Sequence, residues 1–170
     1  MDLAQRFVDR SRHYLTYEYP TKIQRCLDVL PASALWQRAN ESSNSIGNLL
    51  LHLSGNVRQW VVCGISGAPD VRQRSEEFAA NDGADAATLM SALRDTLRDT
   101  DAVLAALTSR VLSESRTIQG RDVTVFDAVY HVVEHFSTHT GQIILLTKAA
   151  AAGSISFYAD AGGKAVPTWE

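Results

Sequence analysis

The chain has 170 residues, 45% of them hydrophobic and 21% charged, enough to bury a core and too few to require more than one domain, so a single domain over residues 1–170 is expected. A formal net charge of −3 with no run of lysines or arginines offers no electrostatic footprint for a phosphate backbone, and no apolar run approaches the ~18 residues of a membrane span, so neither nucleic acid nor a membrane is expected as a partner. The opening Met1-Asp2-Leu3-Ala4-Gln5 lacks the basic start and apolar core of a signal peptide, and only Cys26 and Cys63 could form a disulfide, which points to a cytoplasmic protein with reduced thiols.

From Leu3 to about Leu30, apolar residues recur at Leu3, Phe7, Leu15, Tyr19, Ile23, Cys26 and Leu30, mostly three or four apart, which predicts a long amphipathic helix. Pro20 removes one backbone donor and disfavours the α conformation just before it, so either a kink near Tyr19 or two helices in series is expected. His13 has no companion polar line and reads as a structural or surface residue. Pro31 to Trp36 reads as a short helical turn, with Trp36 as its anchor on the core.

Glu41-Ser42-Ser43-Asn44 is a cluster of capping residues, and a second helix is predicted from about Ser45 to Cys63 with the stripe Leu49, Leu53, Val57 and Trp60. Beside that stripe runs a polar line, Ser45, His52, Asn56 and Cys63, where a purely structural helix would usually carry aliphatic residues. Cys63 shares the azimuth of His52, but eleven residues along a helix is about 16 Å, outside any shared coordination sphere.

Residues 64–83 break the periodicity and form a long connection around Val71 to Phe78. Arg72 and Arg74 within it have two readings: contacts to an anionic substrate, or solvated arginines paired with Glu76 and Glu77. A third helix is predicted from Ala86 to Leu107, buried through Leu89, Leu93, Leu97, Thr100, Leu104 and Leu107, with Arg94, Asp95, Arg98, Asp99 and Asp101 on a solvated face. Gln119-Gly120 predicts a tight turn between extended pairs. Thr124 to Asp127 resembles a capping box that opens a fourth helix, which runs to about Ala152 and ends at Gly153. The tail from Ser154 is expected to be irregular, with Phe157, Tyr158 and Trp169 folding back.

The fourth helix carries His131, His135 and His139, three of the chain's five histidines, at intervals of four. Each such step turns the side chain by only about 40° and lifts it about 6 Å, so the imidazoles form a ladder, and two adjacent rungs can grip one metal ion. Catalytic zinc takes three protein ligands and keeps a position open, and neutral imidazole also suits nickel, iron and copper. With His135 and His139 as two ligands, a third must come from another element, and His52 is the only other histidine in a long amphipathic stretch apart from His13. A rival register exists, because His131-Val132-Val133-Glu134-His135 matches the H-x-x-E-H pattern of inverted zinc proteases. That pattern needs a glutamate ligand well downstream, and after His135 the next glutamate is the terminal Glu170.

Asn48-Leu49-Leu50-Leu51-His52-Leu53-Ser54-Gly55-Asn56 with Trp60, followed far downstream by Val132 to Gln142, resembles the DinB-like superfamily. Its members share a histidine followed by leucine in the second helix and an H-x-x-x-H-x-G-Q run in the last. The resemblance covers residues 44 to 158. It implies an all-α four-helix bundle of up-down-down-up type with long helix connections, and one divalent metal ion, zinc or nickel, held by His52, His135 and His139. Superfamily activities include metal-dependent thiol transferases and a thiol-dependent isomerase, so it also implies a small-molecule substrate such as a low-molecular-weight thiol, transferase or hydrolase chemistry on a water or thiol, and a homodimer as a candidate assembly. The competing reading is a metal-stabilised binding or stress-response protein without turnover. Asn56 and Gln142 share the ligands' flanks and have two readings, donors to the ligands or polar residues of the helix packing. Thr138 and Thr140 stand where many members have histidine and arginine, so contacts made by those residues are not carried over.

Overall fold

The structure is a computed structural model that describes residues 2–153 and 155–169. It is mostly helical with a few short strands. Four long helices, α1 (residues 3–29), α2 (residues 46–63), α4 (Ala86–Ala105) and α6 (Val125–Ala150), enclose the core, and two short ones, α3 (Arg74–Ala79) and α5 (Ser109–Leu112), lie in the connections. Antiparallel hairpins β1 (Ser115–Ile118) with β2 (Arg121–Thr124), and β3 (Tyr158–Asp160) with β4 (Ala165–Pro167), flank α6. No helix among the described residues is long and apolar enough to cross a membrane.

Pro20 shapes α1 without ending it. The expected kink or break takes the form of a π-helical turn, Tyr14–Glu18, between α-helical Leu3–His13 and Tyr19–Val29. There the Tyr19 amide donates to the Tyr14 carbonyl, five residues back, and the widened turn accommodates a ring that would clash in a tight α ladder. Tyr19 stays helical at φ −69° and ψ −46°, although it precedes a proline.

The start of α2 is set by a reciprocal cap: the Asn48 amide donates to Ser45 Oγ at 3.1 Å, and the Ser45 amide to Asn48 Oδ1 at 3.0 Å. The same Asn48 side chain donates from Nδ2 to the carbonyls of Glu77 and Ala80, at 2.9 and 2.6 Å, which ties α3 to the outside of α2. Trp36 packs flat on Gly47, where a Cβ would lie 2.6 Å from the indole ring, and donates to the Ala84 carbonyl at 3.2 Å. The 3-10 turn Ala32–Ala34 leads into it, as the sequence predicts.

Paired contacts give the helices their relative directions. Arg12 with Asp101 and Arg94 with Gln24 run in opposite order on α1 and α4, whereas Ser54 with Thr96 and Arg58 with Asp99 ascend together on α2 and α4. Phe7 on Phe126 and Tyr19 on Phe136 ascend together on α1 and α6. Between α2 and α6 the order is opposed, with Trp60 beside His131 and His52 beside His139. The predicted stripes of α2 (Leu49, Leu53, Val57 and Trp60) and α4 (Leu89, Leu93, Leu97, Thr100 and Leu104) are buried, as are Phe136 and Ile143 of α6, whereas Leu3 at the head of the predicted α1 stripe is exposed.

Ahead of α6, the Gln119-Gly120 turn has φ of 53° and 73°, positive at both central residues as a two-residue hairpin requires. Thr124 and Asp127 form the expected capping box. The tail departs from expectation: it forms the β3–β4 hairpin around Gly162 and Gly163, both at positive φ, in place of irregular chain. Phe157 is buried, and Trp169 lies under the Lys22 ammonium, 3.9 Å from its ring centre. Ser154 lies outside the described residues.

Phe136 is fully buried and stacks on Tyr19 with ring centres 5.6 Å apart, joining α1 to the histidine-bearing helix. Phe136→Ala is expected to lower the unfolding free energy by about 3–5 kcal/mol, measured by urea denaturation. A loss under about 1 kcal/mol would show that this contact does not anchor the two helices.

Candidate metal centre

The capping box fixes the start of α6, the i, i+4 spacing puts His135 and His139 on one face of it, and that face meets α2. His52 approaches from the opposing helix. Its Nε2 lies 3.1 Å from Nε2 of His135, which lies 3.1 Å from Nε2 of His139, and the three ligand atoms all fall within 4.8 Å of one another. Tetrahedral zinc with Zn–N near 2.1 Å separates its nitrogens by about 3.4 Å, so the donor set is close to the dimensions of a shared cation. Three ring nitrogens that face one another cannot all satisfy each other with hydrogens, and neutral lone pairs pointing inward repel unless a positive charge lies between them. No other group of three or more metal-ligating side chains meets this test among the described residues.

The rings are held in a form suited to ligation. Burial, followed by the neighbouring charges of His139, His52, His131 and Arg72, lowers the His135 pKa to about 3, so this imidazole is neutral across the physiological range. Burial also lowers His139, partly offset by its hydrogen bond with Gln142. Two of the three rings have an outer partner. His139 Nδ1 donates to Gln142 Oε1 at 2.7 Å, so Gln142 acts as an acceptor, where the sequence reading made it a donor. His52 Nδ1 lies 3.0 Å from Glu77 Oε2 and 3.1 Å from Arg72 Nη2. His135 Nδ1 has no hydrogen-bond partner among the described residues, and neither do Asn56 Oδ1 and Trp60 Nε1 on the facing helix.

The pairing of Arg72 with Glu77 that the sequence allows does form, but the sequence reading missed that it is buried against His52. Arg72 is neither solvated nor free for an anion: only 5% of its side chain is exposed, and it forks onto Glu77 with Nε and Nη2 each at 2.7 Å from a carboxylate oxygen. Burial alone would raise the Glu77 pKa, but hydrogen bonds from Arg72 and His52 outweigh it and leave the carboxyl below its ordinary range. Arg74 instead lies over the Phe78 ring at 4.8 Å. Nothing in the charge-rich run Arg72 to Glu77 marks one glutamate as inward, since the residue is brought there by Asn48 and by Arg38, which binds the carbonyls of Phe78 and Ala80.

His131 belongs to a different environment. It stacks on Trp60 with ring centres 4.2 Å apart, and its Nδ1 lies 3.3 Å from Glu134, a residue 53% exposed and turned away from the ring cluster. The protease-like register therefore does not assemble. Cys63 donates its thiol to the Pro69 carbonyl at 3.3 Å and is outside the cluster, as its distance along the helix requires, and Cys26 is a free, buried thiol. His13 is half-exposed beside Glu18. A cavity of about 610 Å³ between α2 and the 64–83 connection abuts Arg72 and Glu77, and none of the three histidines lines it.

Fold and site together define a helical protein of DinB-like type with a three-histidine cluster that could hold a metal ion. Residues 2–158 match the family described as "Protein of unknown function (DUF1572)", a DinB-like family, and the chain belongs to it. Among solved structures, it is similar to a DinB-like protein from Bacillus cereus ATCC 10987, at 19% identity and TM-score 0.65 over 84% of this chain and 93% of that one. It is also similar to a conserved protein from Enterococcus faecalis (14% identity, TM-score 0.70, covering 88% and 98%) and to a DinB-like protein from Bacillus subtilis (20%, 0.64, covering 89% and 96%). A search of the curated proteins finds no match.

The depressed His135 pKa gives stability a pH signature. In the unfolded chain this ring protonates near 6.5, whereas in the folded metal-free protein it stays neutral down to about 3. The unfolded state thus binds more protons between those values, and its advantage grows as pH falls. Stability from this group is complete above about pH 6.5 and is lost progressively toward pH 3, on the order of a few kcal/mol. His135→Gln should flatten that decline in urea melts of metal-free protein, and an unchanged slope would contradict the assignment.

Proposed function

We propose that His52, His135 and His139 hold one divalent metal ion, zinc or nickel, in a site that keeps a coordination position open for a small molecule. The observation that carries this reading is the convergence of three Nε2 atoms, from helices 83 residues apart in the chain, with His135 neutral and two of the rings hydrogen-bonded on their outer nitrogens. An ion held there would act as a Lewis acid and lower the pKa of a water or low-molecular-weight thiol placed in the open position. The protein's own part is to aim the three lone pairs, through Glu77 on His52 and Gln142 on His139, and to supply polar atoms beside the site. Asn56, on the same flank of α2 as His52, has a buried Oδ1 that is unpartnered among the described residues and is the candidate for that role. The reaction class proposed is transfer or hydrolysis.

This proposal takes the four long helices as one domain with up-down-down-up topology. The contact order between α1, α2, α4 and α6 supports it. A cytoplasmic homodimer is part of the same proposal, and the exposed rings of Phe126 and Tyr130 on α6 support a second copy as the partner. One observation favours the alternative of a metal-stabilised protein without turnover: the cavity beside Arg72 and Glu77 is not lined by any of the histidines.

Metal content after purification without a histidine tag tests the ligand set. One ion per chain is expected in the wild type, with near-complete loss in His52→Ala, His135→Ala and His139→Ala and retention in His131→Ala. A site emptied by His131→Ala and left full in His139→Ala would overturn it.

A further inference from the structure

His52 Nδ1, Glu77 Oε2 and Arg72 Nη2 form a nearly equilateral triangle, with sides of 3.0, 3.1 and 2.7 Å. Seen from Nη2, the directions to the other two atoms differ by about 60°, while the two N–H bonds of one guanidinium nitrogen diverge by about 120°. The Nη2 hydrogens therefore cannot point squarely at both: the bond to Glu77, at 2.7 Å and paired with the Nε bond at 2.7 Å, is the shorter, and the contact with His52 Nδ1, at 3.1 Å, is the longer. The third arm of the guanidinium is taken as well, since Nη1 donates to Gln59 Oε1 at 2.8 Å. If Nδ1 carried a lone pair, that lone pair would face a carboxylate oxygen at 3.0 Å with no hydrogen between them. The consistent assignment has Nδ1–H donating to Glu77, which leaves the lone pair on Nε2, the atom directed at His135.

We infer that Glu77, braced by Arg72, is the positioning residue that locks His52 in its Nδ1–H tautomer, making the 64–83 connection a working part of the three-histidine centre. This rests on the metal-binding reading and adds a residue to it. The contact is built for. Both side chains are nearly buried, the connection is pinned to α2 through Asn48, and Phe78 of the same short helix lies against the His52 ring with centres 4.6 Å apart. Gly55 makes room for the pair: a Cβ there would meet Glu77 Oε1 and lie 2.9 Å from Arg72 Nε. A residue other than glycine would suit the helix better, so the gap answers to the side chains that fill it.

Two variants separate positioning from general stability. Glu77→Gln keeps the shape but offers one acceptor in place of two, so the Arg72 fork competes with His52 for it and the amide N–H can face Nδ1. Gly55→Ala changes no charge and favours the helix, yet pushes the pair off the ring. The readouts are the His52 tautomer by nitrogen-15 NMR of metal-free protein and zinc affinity by competition with a chromophoric chelator. The wild type should show His52 as Nδ1–H, both variants should move it toward Nε2–H, and both should bind zinc 10–100-fold more weakly while keeping helical circular dichroism. An Nε2–H wild type, or Glu77→Gln with unchanged tautomer and affinity, would overturn the inference. If the wild type took up no zinc, the metal reading would fall, and the tautomer alone would then decide: a shift between wild type and Glu77→Gln sustains positioning by Glu77, and identical spectra refute it.

Discussion

The close approach of three imidazole nitrogens, all within 4.8 Å of one another, is the constraint on which the rest of the centre depends. Buried imidazoles repel when charged and conflict when their lone pairs meet, so such a cluster is best satisfied when the rings are neutral and the nitrogens that converge share a proton or a cation. Burial keeps His135 neutral. The outer partners Glu77 and Gln142 then determine where the remaining protons sit on His52 and His139. Further out, the capping boxes at Ser45 and Thr124 fix where α2 and α6 begin, and Phe136 packs α6 on α1 while its neighbour His135 faces α2.

The cluster is assembled from contacts of very different sequence separation. His135 and His139 meet because one helix turn brings them together, a local property. His52 reaches them across 83 residues through the opposed packing of α2 and α6. Glu77 arrives from a connection with little regular structure, carried by hydrogen bonds from Asn48 and Arg38 to backbone carbonyls of α3 and its end. With Glu77 as the positioning residue, the hold on His52 couples the segment to the centre.

Much of this was legible in the residues because the relevant signals are periodic or local. The stripes of α2 and α4, the capping box at Thr124, the two-residue turn at Gln119-Gly120 and the ladder on α6 each follow from spacing or from side chains that bond within a few residues, whereas the cap of α2 is Ser45 with Asn48 and not the Glu41 to Asn44 cluster that the sequence suggests. Three further features were not legible. The π turn at Tyr14–Glu18 is one of several ways a helix can absorb Pro20, and hydrophobic spacing does not choose among them. The hairpin of the tail rests on Gly162 and Gly163 and on anchorage by Lys22 and Arg25 of α1, a tertiary contact that local reading does not see. Glu77 looked like a solvated partner for surface arginines, because an ion pair five residues apart reads the same whether water or an imidazole lies beside it.

The central claim is that these three rings are the protein's ligands to a single ion with one position left open. X-ray absorption at the zinc edge of zinc-loaded, untagged protein tests it most directly. The expected result is three imidazole nitrogens at about 2.0–2.1 Å plus one light atom that is exchanged for sulfur when a small thiol is added. A sulfur scatterer before any thiol is added, or a fourth imidazole closing the sphere, would contradict it.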